Sequence, residues 1–295
     1  MRTKLLLSLA ALVATLAACT APAPVAPSTP PRPSTAGPGV HVLAQRLAMP
    51  GLGRERTLRL YLPPSYESST TKRYPVIYMH DGQNLFDDAT SFAGEWGVDE
   101  TLDEFARTRG FEAIVVGIDN GGEERTRELS PWPNPKYGPA QGEQYMAFVV
   151  DTVKPFIDAH YRTLADRANT AIAGSSMGGL ISHYALLRYP QVFGKAAIFS
   201  PSYWFSSEVY AQTAARPWPA DTRVYFYIGG REGEESVPDV QRMLIQLAAP
   251  DHPPKAIALQ VVPDAQHNER AWRAAFPLAV AWLFEVRPLD AKMSP

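Results

Sequence analysis

The sequence predicts an α/β fold, a mostly parallel central sheet with helices on both faces and an antiparallel edge at its N-terminal side. From residue 41 onward, apolar runs of strand length alternate with longer stretches of helical period, the order that builds crossover units. Most of these runs are continuously apolar, as strands covered on both faces are.

The elements follow in order. His41 to Met49 and Arg56 to Leu62 alternate or nearly so, lie close together, and suggest the antiparallel edge pair. After the turn Pro63-Pro64-Ser65, Tyr74 to Met79 reads as a covered strand. Phe111 to Ile118, Thr170 to Ala173, Lys195 to Phe199, Arg223 to Ile228 and Ala256 to Val262 read likewise. Helical period places helices over Val98 to Arg109, Glu143 to Ala159, Met177 to Tyr189, Val237 to Leu247 and Glu269 to Phe284. No repeat is evident.

Composition bounds the rest. Of 295 residues, 45% are hydrophobic, enough for one sizeable core, and a net charge of -2 without a basic run leaves no electrostatic footprint for nucleic acid. Cys19 is the single cysteine, so no intrachain disulfide can form. Residues 1–19 read as a signal segment: Arg2 and Lys4 precede an apolar run, Leu5 to Ala18, that is too short to span a bilayer. Its ending, Leu16-Ala17-Ala18-Cys19, resembles a bacterial lipobox, which makes Cys19 the expected lipidation site and a lipid anchor the only expected membrane contact. Residues 20–40 are rich in Pro, Ala, Ser and Thr and read as a disordered tether, residues 41–287 as one catalytic domain, and 288–295 as a C-terminal tail.

In open sheets of this kind ligands bind beyond the carboxyl ends of the strands, so polar residues after each run are the place to look for chemistry. Gly174-Ser175-Ser176-Met177-Gly178 fits G-x-S-x-G between a strand and a helix, the context of a nucleophile elbow. A serine hydroxyl is a weak nucleophile until a base takes its proton. Among the six histidines, His267 alone follows the last strand and precedes the last helix. There it can serve as base in the chain order serine, acid, histidine. A carboxylate must hold the imidazole tautomer. Glu232 is the first acid after the strand Arg223 to Ile228, with Glu234 and Glu235 within reach of the same loop. Acyl transfer develops charge on the carbonyl oxygen, and the expected amide donors are Met177, directly after the nucleophile, and Gln83, beside Gly82 after the strand ending at Met79. Trp96, Trp132, Tyr203 and Trp204 lie in loops near strand ends and are candidates for an aromatic wall around a sugar or phenolic group. An anionic ligand would require Arg125, Arg127 and Arg231 to converge, so a neutral ester is favoured.

Tyr78 to Phe86, Gly174 to Gly179, Ser200-Pro201-Ser202-Tyr203-Trp204 and His267-Asn268-Glu269 resemble the esterase family of the α/β-hydrolase superfamily. That family includes esterase D-like enzymes, feruloyl and acetyl xylan esterases, enterochelin-type siderophore esterases and mycobacterial mycolyltransferases. The resemblance covers about residues 41 to 286. It implies an α/β-hydrolase fold without metal or cofactor, nucleophile Ser176, acid Glu232, base His267, and an oxyanion hole at Gln83 and Met177. Many members carry aspartate where Glu232 stands. The expected activity is hydrolysis of a sugar-linked or phenolic ester. A siderophore esterase, a transacylase, and a glycan- or siderophore-binding lipoprotein that keeps the scaffold without the chemistry are the alternatives.

Overall fold

A computed structural model describes residues 32–248 and 256–287. The expected signal segment with Cys19, the first part of the tether and the tail at 288–295 lie outside the described residues.

The strands are β1 (Val40–Val42), β2 (Leu47–Met49), β3 (Arg54–Arg56), β4 (Leu58–Tyr61), β5 (Val76–His80), β6 (Ile114–Ile118), β7 (Thr170–Ser175), β8 (Lys195–Phe199), β9 (Arg223–Gly229) and β10 (Ala256–Val262). The helices are α1 (Val98–Arg109), α2 (Arg125–Glu128), α3 (Gly142–Phe148), α4 (Lys154–His160), α5 (Met177–Arg188), α6 (Glu208–Ala215), α7 (Ser236–Leu247) and α8 (Glu269–Leu283). Eight strands form one sheet in the order β1-β4-β6-β5-β7-β8-β9-β10. β5 to β10 run parallel, while β4 is antiparallel to both β6 and β1.

The antiparallel edge forms between the two early segments as expected, with a second pairing beside it. Each of the two early segments divides: Val40–Val42 pairs with Leu58–Tyr61 in the main sheet, whereas Leu47–Met49 and Arg54–Arg56 form a separate hairpin. Gly51 and Gly53, at φ 80° and 62°, make its turn, a conformation that residues with a Cβ rarely adopt. The expected single helix over Glu143 to Ala159 is α3 and α4 joined by a π turn at Val149–Val153. Pro155 has no N–H to give Asp151, so regular α-helical bonding cannot run through this point.

Strand alternation decides which helices cover which face. Val76 and Tyr78 point into a cluster with Tyr145, Val153, Leu180, Ile181, Val240 and Met243, on the face covered by α3 to α7. Ile77 and Met79 point into the opposite cluster with Leu102, Phe105, Trp272, Phe276 and Val280 from α1 and α8.

Residues 32–39, expected within the tether, lie against the domain. Arg32 pairs with Asp88 at 3.1 Å and donates to the Ser91 carbonyl, Ser34 and Thr35 donate to Asp87, and the Gly37 amide donates to Asp99 at 2.8 Å. The strap carries almost no apolar surface, so composition did not reveal it; polar donors meeting two acidic turns hold it instead.

Candidate active site

β5 has β6 on one side and β7 on the other, so the chain reverses its direction of travel across the sheet between them and opens a crevice at the carboxyl ends. Ser176 stands there, between β7 and α5, at φ 58° and ψ −121°. Such a backbone costs about 1–3 kcal/mol in a residue with a Cβ. Hydrogen bonds hold it: the Ser176 amide donates to the Phe199 carbonyl at 3.0 Å, and its own carbonyl accepts from Leu180 and Ser202. A Cβ at Gly174 would fall 2.9 Å from both the Gly178 backbone and the His80 ring, so the motif's glycines let β7, α5 and the end of β5 approach one another.

The loops after β9 and β10 are fastened together, with the Gly230 amide donating to the Val262 carbonyl and the Arg231 amide to the Ala265 carbonyl, both at 2.9 Å. A Cβ at Gly229 would meet the Ala265 carbonyl oxygen at 2.5 Å and Glu232 Oε1 at 2.7 Å, so only glycine leaves room for this contact. Glu232, its side chain 1% exposed, reaches His267 Nδ1 with Oε2 at 2.8 Å. Its Oε1 accepts from the Gly229 amide and from Ser200 Oγ, both at 2.7 Å. Because a carboxylate only accepts, the imidazole carries its hydrogen on Nδ1 and leaves the Nε2 lone pair free. Glu234 and Glu235 are exposed, and neither bonds His267.

Two residues that sequence reasoning missed support this pair. Trp272 Nε1 donates to Ser200 Oγ at 2.9 Å, and the Trp272 ring stands edge-on to His267 at 5.0 Å. Ser200 is itself at φ 44°. Asn268 caps α8 by accepting from the Ala271 amide at 3.0 Å, which anchors the residue beside the imidazole.

Ser176 and His267 line the same two cavities, one of about 580 Å³ and one of about 340 Å³. The Ser176 hydroxyl is 3.2 Å from Ser202 Oγ and makes no direct bond to the imidazole. Hydrogen bonds of this type commonly tighten only when substrate is bound. Gln83 sits in the 3-10 turn Gly82–Asn84 beyond β5 and lines the larger cavity. Its carbonyl accepts from Thr90 Oγ1 at 2.8 Å and its side-chain oxygen from the Asn120 amide at 3.1 Å, fixing the turn. Met177 opens α5, where first-turn amides have no acceptor four residues back.

The three arginines do not converge. Arg125 binds Asp81 through Nε at 2.6 Å and Nη2 at 2.8 Å, Arg127 pairs with Glu124, and Arg231 pairs with Asp264. Burial alone would raise the Asp81 carboxyl, but Arg125 and the side-chain Nδ2 of Asn120 hold it below the usual carboxylate range. The aromatic wall is likewise smaller than expected. Trp96 packs edge-on to Phe199 at 4.9 Å and Trp132 edge-on to Tyr184 at 5.7 Å, both buried in the core. Tyr203 is buried against His183, which leaves Trp204, 62% exposed, on the smaller cavity. Trp272 and Phe92 line the larger cavity instead.

His80 and His183 are buried. Thr213 gives its hydroxyl proton to the Val209 carbonyl, so His183 Nε2 must donate to Thr213 at 2.8 Å, and Nδ1 accepts from the Tyr203 hydroxyl at 2.7 Å. A neutral ring satisfies every partner and a second proton has none. Burial lowers His183 to about 3 and His80 to about 4. Unfolded histidine takes its proton near pH 6.5, so below that the unfolded chain binds more protons and stability falls as pH drops, by roughly 1.4 kcal/mol per pH unit per histidine. Burial raises Asp99 to about 7, which acts with the opposite sign between about pH 4 and 7 and masks part of the slope. The contribution of His183 is therefore expected as a difference: in urea titrations from pH 6.5 to 5, His183→Gln should lose stability less steeply than wild type by about one proton. Parallel slopes would contradict it.

Among the described residues, no cluster of three or more His, Cys, Asp or Glu side chains is arranged to hold a metal ion, and no helix is long and apolar enough to cross a membrane.

Comparison with known proteins bears on the family and the fold. The model of the family described as "Putative esterase" matches residues 50–283. The uncharacterized protein YbbA of Bacillus subtilis is 28% identical over 78% of this chain and 92% of its own length. An endo-1,4-beta-xylanase/feruloyl esterase of Xylanibacter ruminicola is 26% identical over 53% of this chain, which spans 21% of that longer protein. The enterobactin esterase FES of Shigella flexneri, solved in the presence of enterobactin, superposes with a TM-score of 0.68 at 20% identity, covering 85% of this chain and 60% of that one.

Proposed function

Because this chain belongs to the esterase family, we propose that it is a serine carboxylic-ester hydrolase acting through an acyl-enzyme on Ser176. The observation that carries this reading is a serine on a strained elbow that shares both cavity walls with an imidazole oriented by a buried carboxylate.

Ser176 Oγ attacks the ester carbonyl carbon while His267 Nε2 takes its proton, and Glu232 stabilises the imidazolium through the Nδ1 hydrogen bond. The Met177 and Gln83 amides receive the oxyanion, a contribution of roughly 3 kcal/mol for each donor. The tetrahedral adduct collapses, breaking the carbon–oxygen bond to the alcohol, which leaves with the proton from His267. Water then repeats the sequence on the acyl-serine, releasing the acid and restoring the hydroxyl.

For the substrate, the separated arginines favour a neutral sugar-linked or phenolic ester over a strongly anionic siderophore. The feruloyl esterase among the relatives supports the first class, and the siderophore esterases among the relatives support the second. Hydrolysis assays on acetyl, feruloyl and catechol-siderophore esters separate the two. Clearly faster turnover of the neutral esters is expected, and a preference for the ferric catecholate would reverse the assignment. Adding acceptor alcohols to the same assays tests for transacylation. A hydrolase yields free acid as the main product, whereas a transacylase yields the new ester.

A further inference from the structure

Glu269, the first residue of α8, has no part in the acyl-transfer steps, yet it lines the larger cavity two residues after the base. It is 8% exposed, and among the described residues its carboxylate makes no hydrogen bond or ion pair, although the Arg125 guanidinium on the same cavity feels its charge. Its oxygens are not sealed from solvent, and the residue lines the cavity. A carboxylate buried to this extent without a donor costs stability. The same cavity is lined by donors that are also only partly used. Asn84, 8% exposed, spends its side-chain oxygen on the Phe92 amide and leaves Nδ2 free. Gln83 spends its side-chain oxygen on the Asn120 amide and leaves Nε2 free. Arg125 gives Nε and Nη2 to Asp81 and leaves Nη1. The Asp81 and Arg125 charges cancel, so Glu269 leaves this wall of the cavity net negative. Trp272 and Phe92 supply apolar surface beside these groups.

We propose that Glu269 is a specificity-determining residue that accepts hydrogen bonds from the hydroxyl groups of a polyol alcohol and rejects alcohols carrying a negative charge. Hydroxyls suit this lining because each donates to one partner and accepts from another. The alcohol is assigned to this cavity because His267, which must protonate the leaving oxygen, lines it together with Glu269 and the partly used donors, and neither Glu269 nor those donors line the smaller one. The inference rests on Ser176 and His267 being the nucleophile and base.

The test compares wild type and Glu269→Gln on three acetyl esters, namely ethyl acetate, glucose monoacetate and glucuronate monoacetate, reading kcat/KM for each. Relative to ethyl acetate, Glu269→Gln should lower selectivity for the glucose ester by roughly 10- to 100-fold, the scale of a charged hydrogen bond to substrate. Relative to the glucose ester, it should raise selectivity for the glucuronate ester by about tenfold, because the two sugars share their ring hydroxyls and differ only in the charge that Glu269 repels. Glu269→Asp keeps the charge and should retain rejection of glucuronate. A fall for glucose against ethyl acetate together with a rise for glucuronate against glucose cannot come from a general loss of structure. Selectivity ratios unchanged within about twofold, or a parallel fall on all three esters, would overturn the proposal. Ser176→Ala in the same assay separates the two failures: if it abolishes hydrolysis while the ratios stay put, only the role of Glu269 falls, and if hydrolysis survives, the nucleophile assignment falls with it.

Discussion

Ser176→Ala is expected to lower kcat on p-nitrophenyl acetate by about 10⁵-fold or more, leaving only the acceleration that binding and the oxyanion amides provide. The fold should not suffer. Among the described residues the hydroxyl's one hydrogen-bond partner is Ser202 Oγ at 3.2 Å, and alanine at φ 58° is strained no more than serine is. The unfolding midpoint should therefore remain within experimental error of wild type while activity disappears. Activity retained at wild-type level would remove Ser176 from the chemistry.

The second large effect is expected from Glu232→Gln, about 10³- to 10⁴-fold in kcat with little change in KM. Glutamine has the same shape, and its oxygen can still accept from Gly229 and Ser200. Its amide nitrogen then faces His267 Nδ1, and a donor at that position forces Nδ1 to accept. The imidazole hydrogen moves to Nε2, the atom that must take the serine proton. The buried negative charge that stabilises the imidazolium is lost as well. A fall of tenfold or less would mean that Glu232 is a structural partner of the loop and not the orienting acid.

Much of this site was legible because local signals coincide with sheet topology. The elbow announces itself through glycines on both sides of Ser176, and the strands on either side of it are too apolar to be anything but covered. His267 stood out because it is the only histidine between the last strand and the last helix. What stayed hidden depends on distance. Ser200 and Trp272 are 72 residues apart, and nothing near either residue indicates that one donates to the other over Glu232. Three acids shared one turn, and only the register between the loops after β9 and β10 decides that Glu232 meets the imidazole. Trp96 and Trp132 sit beside strand ends in the chain, but whether such a ring faces solvent or core depends on helices that pack over it later. The early strands were found as alternating segments that pair at the edge, yet the separate hairpin between them turns on Gly51 and Gly53.

The most direct measurement is covalent capture: the purified protein is treated with a fluorophosphonate probe, digested, and the modified residue located by peptide mass mapping. A serine hydroxyl activated by His267 should carry the adduct at Ser176, and the adduct should vanish in His267→Ala as well as in Ser176→Ala. No adduct on the folded protein, or an adduct on a different residue, would contradict the account.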